Sequence, residues 1–227
     1  MKNKVFISVI SIVALAWYVR DVNGNDVNVN SDTKDSVVIE VAPITLEEVN
    51  RAFIPNANQP YNRKNWRHWI DADRDGQDTR QEVLIAENLA HDSLTEYNED
   101  SSRITLGSWV CMFTGDTTTN PRDLDVDHFV PLKEAYLSGA SVWSKEQKSA
   151  YANEMLSNDN HLIAVMKGAN RSKGAKDPSE WLPAINKCWY VTQWCLIKSI
   201  WDLGMDDKED SFLNDFIIDE CGEYVNE

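Results

Sequence analysis

Asp127 and His128 stand side by side at the end of a short apolar stretch, and Asn170 opens a basic turn further along the chain. A carboxylate, an imidazole and a carboxamide can together hold one hard cation and activate one water. Asp127 and Asn170 supply oxygen ligands, which suit Mg2+ or Mn2+ better than zinc. A neutral imidazole at His128 takes a proton from water near pH 7. Arg171 and Lys173 follow Asn170 on the same turn and carry charge for flanking phosphates. Phosphodiester hydrolysis needs this equipment: an aimed nucleophile, and positive charge on the phosphate and on the leaving oxygen. An Asp-His pair alone is more often a surface pair or a helix cap. The ordered set, Asp-His on one strand, then a second strand, then Asn-Arg-Ser-Lys-Gly, carries the weight.

A second group with cation chemistry precedes it. Asp71, Asp73 and Asp75 occupy the first, third and fifth places of a calcium-loop pattern, Gly76 the sixth and Glu82 the twelfth. The eighth place, ordinarily apolar, holds Asp78. The plainer reading is an acidic turn before the helix that Thr79 starts, since Thr79-Arg80-Gln81-Glu82 has capping-box spacing.

The elements that must position these residues follow from local pattern. Leu124 to Val130 reads as a strand, with Pro131 ending it and starting a helix over 132–137. His161 to Val165 reads as a second strand. Arg103 to Leu106 and Trp109 to Phe113 read as a hairpin about Gly107-Ser108. Capping signals start helices at Thr45, Ser144 and Asp177. Longer helices are expected over about 184–203 and 207–220, and a helix or turn over 61–70. The sum is α+β, a mostly helical single domain around a small antiparallel sheet.

Apolar residues make up 42% of the 227, enough for a globular core. The net charge of −15 argues against loose, charge-driven binding to nucleic acid. The charge is uneven, though: Lys167, Arg171, Lys173 and Lys176 lie in a stretch without acids. Lys2 and Lys4 precede an apolar run, Val5 to Leu15, that is too short to span a bilayer and resembles an export signal. The expected organisation is a signal peptide over 1–16, a polar linker over 17–43 and one domain over 44–227. That domain is secreted or periplasmic, monomeric by default and without a membrane partner. Cys111, Cys188, Cys195 and Cys221 make an even count, which in an oxidising compartment suggests two bridges. Cys188 and Cys195 are two helical turns apart on one face, so each is expected to pair elsewhere. His68 and His91 read as surface or packing histidines, and Trp189, Trp194 and Trp201 as helical core.

Several motifs in order extend the pattern: Asp125-Val126-Asp127-His128-Phe129-Val130-Pro131-Leu132, Ser138-Gly139-Ala140, Leu162-Ile163-Ala164-Val165, Asn170-Arg171-Ser172-Lys173-Gly174, and Lys176-Asp177-Pro178 with Trp181. They resemble the HNH nucleases with the ββα-metal fold. More closely, they resemble the family of the GmrSD-type restriction endonuclease C-terminal nuclease domain, including its exported bacterial members. The resemblance spans roughly Tyr61 to Cys221, with the ββα-metal core over about 124–176. It implies His128 as general base, Asp127 and Asn170 on the ion, and Arg80 as a phosphate clamp. For the middle position of the triad, His161 fits by spacing and Asn160 by residue type. The expectation is an exported endonuclease using one Mg2+ or Mn2+ ion on nucleic acid, DNA more than RNA. The rival is a non-catalytic exported binding protein stabilised by Ca2+ on Asp71, Asp73, Asp75 and Glu82.

Overall fold

The computed structural model describes residues 60–90, 95–155 and 160–222, together with two short strands near the N-terminus. Those strands, β1 (Val19–Arg20) and β2 (Asp26–Val27), pair antiparallel in a unit distinct from residues 44–222. The larger unit holds α1 (Thr79–Ala86), β3 (Glu96–Tyr97), β4 (Ile104–Leu106), β5 (Trp109–Val110), β6 (Thr117–Thr118) and β7 (Leu124–His128). After these come α2 (Leu132–Leu137), α3 (Lys145–Ala152), β8 (Leu162–Met166), α4 (Lys167–Lys173), α5 (Lys187–Ile200) and α6 (Asp207–Glu220). The α+β expectation holds. The expected signal peptide, the helix from Thr45 and His91 lie outside the described residues, as does the 17–43 linker apart from β1 and β2.

The centre is the antiparallel pair β7–β8, in register from Leu124 opposite Met166 to His128 opposite Leu162. Side chains alternate across a strand, so each face of this pair serves a different core. Leu124, Val126, Leu162 and Ala164 join Val83 and Leu84 of α1 with Trp109. Phe129, Ile163 and Val165 join the larger cluster of Tyr151, Tyr190, Trp194 and Leu213. Burial on both faces explains why β8 reads Leu-Ile-Ala-Val-Met without alternation. Glu87 caps the outer edge of β8, its carboxyl accepting from Ala164 N at 3.1 Å. Helix α4 leaves β8 without a loop and folds back on the pair.

Three expectations are corrected. Arg103–Leu106 and Trp109–Phe113 do not pair with each other: β4 pairs with β3, and β5 with β6. Residues 107–108 are clamped to the end of α1 instead. Ser108 N donates to Asn88 Oδ1 at 2.8 Å, and Leu89 N to Ser108 O at 2.8 Å. Gly107 is needed there, because a Cβ would lie 2.5 Å from the Trp109 ring and 2.7 Å from Asn88 Oδ1. Second, Asp177-Pro178 starts a single turn and no helix. Glu180 N and Trp181 N both donate to Asp177 O, and Pro183 then halts the winding by disfavouring the helical conformation at Leu182. The next helix is α5.

Third, one disulfide forms where two were expected. Cys188 on α5 bonds Cys221 at the end of α6, with Cα atoms 5.6 Å apart. Cys111 and Cys195 are free thiols buried in the larger cluster. Cys111 Sγ accepts from Met166 N at 3.3 Å, and burial pushes the Cys195 thiol up to about 12. The two behave as small apolar core groups.

A buried cation ties the helices together. Lys198 of α5 donates to Glu134 and Ser138 at the two ends of α2, to Gly204 O, and to Glu209 of α6. Every ammonium proton therefore meets an oxygen, which a buried charge requires.

Candidate active site

The end of β7 is fixed by α3. The last carbonyls of a helix have no partner within it. Two imidazoles take two of them here: His128 Nε2 lies 3.0 Å from Ala152 O, and His161 Nε2 lies 2.8 Å from Tyr151 O. A carbonyl only accepts, so each imidazole carries its proton on Nε2 and its lone pair on Nδ1. That assigns His128 Nδ1 as the basic nitrogen. Burial drives the His128 pKa well below the ordinary imidazole range, against the pull of the Ala152 carbonyl. Burial also lowers that of His161, to about 4. Both are neutral near pH 7, the form a general base requires.

His128 is packed as well as bonded. Trp69 stacks on its ring at 5.6 Å with the planes 30° apart, and the His68 ring lies 6.2 Å away. Trp69 holds this position from a left-handed backbone, φ 58°, which an aromatic residue rarely adopts. His68 Nδ1 lies 2.8 Å from Trp66 O, so by the same logic its Nε2 is the bare nitrogen.

The pleat sends Asp127 to the other face, under α4. Lys173 Nζ lies 2.7 Å from Asp127 Oδ2 and 3.1 Å from His128 O. Burial raises the Asp127 carboxyl and lowers the Lys173 ammonium, while their mutual attraction opposes both shifts. One turn earlier on α4, Asn170 Nδ2 donates to Asp125 Oδ2 at 3.0 Å. Asn170 Oδ1 is thereby turned away from Asp125 as an acceptor. Asp125, Asp127 and Asn170 thus line one face of β7 as oxygen donors, and His128 occupies the reverse face at its end. Arg63 bridges the two electrostatically, pulling the Asp127 carboxyl and the His128 imidazole down alike.

The sequence expectations fall out unevenly. Asp127 and Asn170 share a face. Asp127 and His128 are adjacent in sequence but not in direction. Lys173 is corrected: it was expected on a phosphate, yet it is fully buried and spent on Asp127 and the main chain. Arg171 is exposed on α4. Arg80 donates to Leu124 O at 3.1 Å, at the far end of β7 from His128. His161 closes the β7–β8 ladder through its own main chain, since Phe129 N donates to His161 O at 3.0 Å. Asn160 instead turns to Gln193 on α5 at 3.4 Å. His68, Asp125 and Arg63 carry more of the site than the sequence reading gave them. Asp125 had a visible signal, because residues two apart on a strand share a face.

The acidic loop is gathered. Among the described residues, Asp71, Asp73 and Asp75 are the one group of three acidic, His or Cys side chains whose ligand atoms lie within 4.8 Å of one another. Asp71 accepts from Arg74 N and Gly76 N, and Asp75 from Gln77 N. The Glu82 carboxyl is raised by burial and by the negative field of Asp73, Asp75 and Asp71. Asp78, and not Thr79, caps α1, accepting from Gln81 N at 3.0 Å.

The family model for the GmrSD restriction endonucleases, C-terminal domain, matches residues 58–213. An "Uncharacterized secreted protein" of Arthroderma benhamiae is 35% identical over 159 residues, which is 69% of this chain and 74% of that protein. No solved structure matches.

Proposed function

Because the chain belongs to the family of GmrSD restriction endonuclease C-terminal domains, we propose that it is a secreted metal-dependent endonuclease of the HNH type. The observation that carries this is the assembly at β7. An antiparallel strand pair runs directly into a helix that sets Asn170 over Asp125, while a carbonyl fixes His128 with its lone pair on Nδ1. His128 is the general base. The water attacks from the end of β7, where the strand's two faces meet and where Arg63 acts on both His128 and Asp127: Nδ1 takes its proton, and Nε2 stays on Ala152 O, which holds the ring still as charge develops.

The oxygen donors fit a hard ion. Asp127 and Asn170 hold Mg2+ or Mn2+, and Asp125 orients the Asn170 amide from behind. One ammonium does not exhaust a carboxylate with about four lone-pair sites, so Lys173 and an ion can share Asp127. The ion, when bound, supplies positive charge for the leaving oxygen. Arg63, whose charge acts on both Asp127 and His128, and Arg171, exposed on α4, take the flanking phosphates. His161 and Lys173 hold the main chain at the end of β7. The substrate is nucleic acid, with DNA favoured.

The relative's name as a secreted protein and the disulfide both support export. No helix among the described residues is long and apolar enough to cross a membrane. Alongside catalysis, the gathered trio Asp71, Asp73 and Asp75 with Glu82 takes a structural Ca2+ ion. The test is incubation of the purified chain with supercoiled plasmid and Mg2+ or Mn2+, against EDTA. Nicking that EDTA abolishes supports the proposal. A plasmid left intact under every ion defeats it.

A further inference from the structure

At the end of β7 far from His128, a cleft of about 680 Å³ opens between α1, β4 and the start of α4. Arg80, Arg103, Arg122 and Lys167 line it, against the single carboxylate of Asp78. In a chain with a net charge of −15, four cations about one cleft are not an average piece of surface. The one acid is also occupied, since Asp78 Oδ1 accepts from Gln81 N as the cap of α1. Among the described residues, none of the four cations forms an ion pair. Two of them are held in place by main chain: Arg80 donates to Leu124 O at 3.1 Å, and Lys167 to Arg122 O.

We propose that this cleft binds a backbone phosphate of the nucleic-acid substrate, several nucleotides from the bond that is cut. The inference rests on the nuclease proposal and extends it to a second point of substrate contact. Guanidinium forks match phosphate oxygens in pairs, and Arg80 retains donors beyond the one spent on Leu124 O. From Leu124 to His128 is four strand steps of about 3.3 Å, so roughly 13 Å. That is about four base-pair rises along one duplex strand. A single nucleotide does not span this length, whereas a polymer does. The cleft therefore selects for a chain of nucleotides, with Arg80 as its fixed centre and Arg103 and Arg122 as its exposed rim.

The test is fluorescence anisotropy of a labelled oligonucleotide with the intact chain, without Mg2+ or Mn2+. The paired charge reversal R103E/R122E is compared with K133E/K187E, two exposed lysines outside the cleft, and circular dichroism confirms that both fold. The expected result is an affinity loss of about tenfold or more for R103E/R122E. The slope of log affinity against log salt should also fall by about 2. The lysine pair should lose less than about threefold by the same electrostatic reasoning. Equal losses in both pairs would mean that net charge alone is read, and would overturn the cleft, as would no loss in R103E/R122E. Inorganic phosphate that binds as tightly as the oligonucleotide would overturn the nucleic-acid assignment. Cleft-dependent binding with no cleavage once Mg2+ is added would sink the nuclease proposal and leave the cleft standing.

Discussion

Lys173 Nζ lies 2.7 Å from Asp127 Oδ2, and both side chains are buried between β7 and α4. A lysine on a basic surface turn was expected to face phosphate. It is instead the counter-ion of Asp127, the carboxylate expected on the metal ion. Removing one partner of a buried pair leaves a charge without compensation. Lys173→Met is therefore expected to cost about 3–5 kcal/mol in urea unfolding, and the double change with Asp127→Asn markedly less. A loss below about 1 kcal/mol for the single change would show that Asp127 is not held this way.

The edge of β8 predicts a pH dependence. Burial raises the Glu87 carboxyl to about 8, against the hydrogen bond it accepts from Ala164 N. The folded state thus binds this proton more tightly than the unfolded state, where the carboxyl titrates near its ordinary value. The resulting stability is full below about pH 4.5 and is lost as pH rises through about 8. At about 1.4 kcal/mol per pH unit, unfolding free energy should fall by on the order of 5 kcal/mol between these limits, and Glu87→Gln should flatten the curve. A profile that Glu87→Gln leaves unchanged would contradict the assignment.

The acidic loop predicts a response to calcium. A ligand that binds only the folded state adds about 2.7 kcal/mol at one hundred times its dissociation constant. Saturating Ca2+ should raise the melting temperature, and Asp71→Asn with Asp75→Asn should erase the rise. No shift in the unmodified chain would leave the loop an ordinary acidic turn.

The disulfide predicts an asymmetry among the four cysteines. Cys188 and Cys221 close a loop of sequence separation 33. Its reduction should cost about 3–4 kcal/mol on the chain-entropy estimate. Alkylation without reductant should label Cys111 and Cys195 only after unfolding, and Cys188 and Cys221 not at all. Labelling at Cys188 would contradict the pairing.

The sequence made some of this legible and not the rest, for physical reasons. The strands at 124 and 162, the box-capped helix behind Ser144 and the acidic helix from Asp207 are local patterns, and they form where local pattern puts them. The capping box is present in full. That β4 and β5 take other partners was not legible, because it turns on Asn88, outside the segment, meeting Gly107 and Ser108. The turn at Asp177 carried a strong start signal, and Pro183, six residues on, overrode it. At the site, residue types were legible but directions were not. Asp127 and His128 look like one unit on paper. A strand's period of two separates them, and only the fold reveals that α3 supplies the carbonyls that orient both histidines.

The most direct measurement is the rate of plasmid cleavage by the unmodified chain and by His128→Ala, with Mg2+ or Mn2+ saturating and folding checked by circular dichroism. With His128 Nδ1 as the base, the variant should be slower by about a hundredfold to ten-thousandfold while remaining folded. A folded His128→Ala chain that cuts at the unmodified rate would contradict the account at its centre.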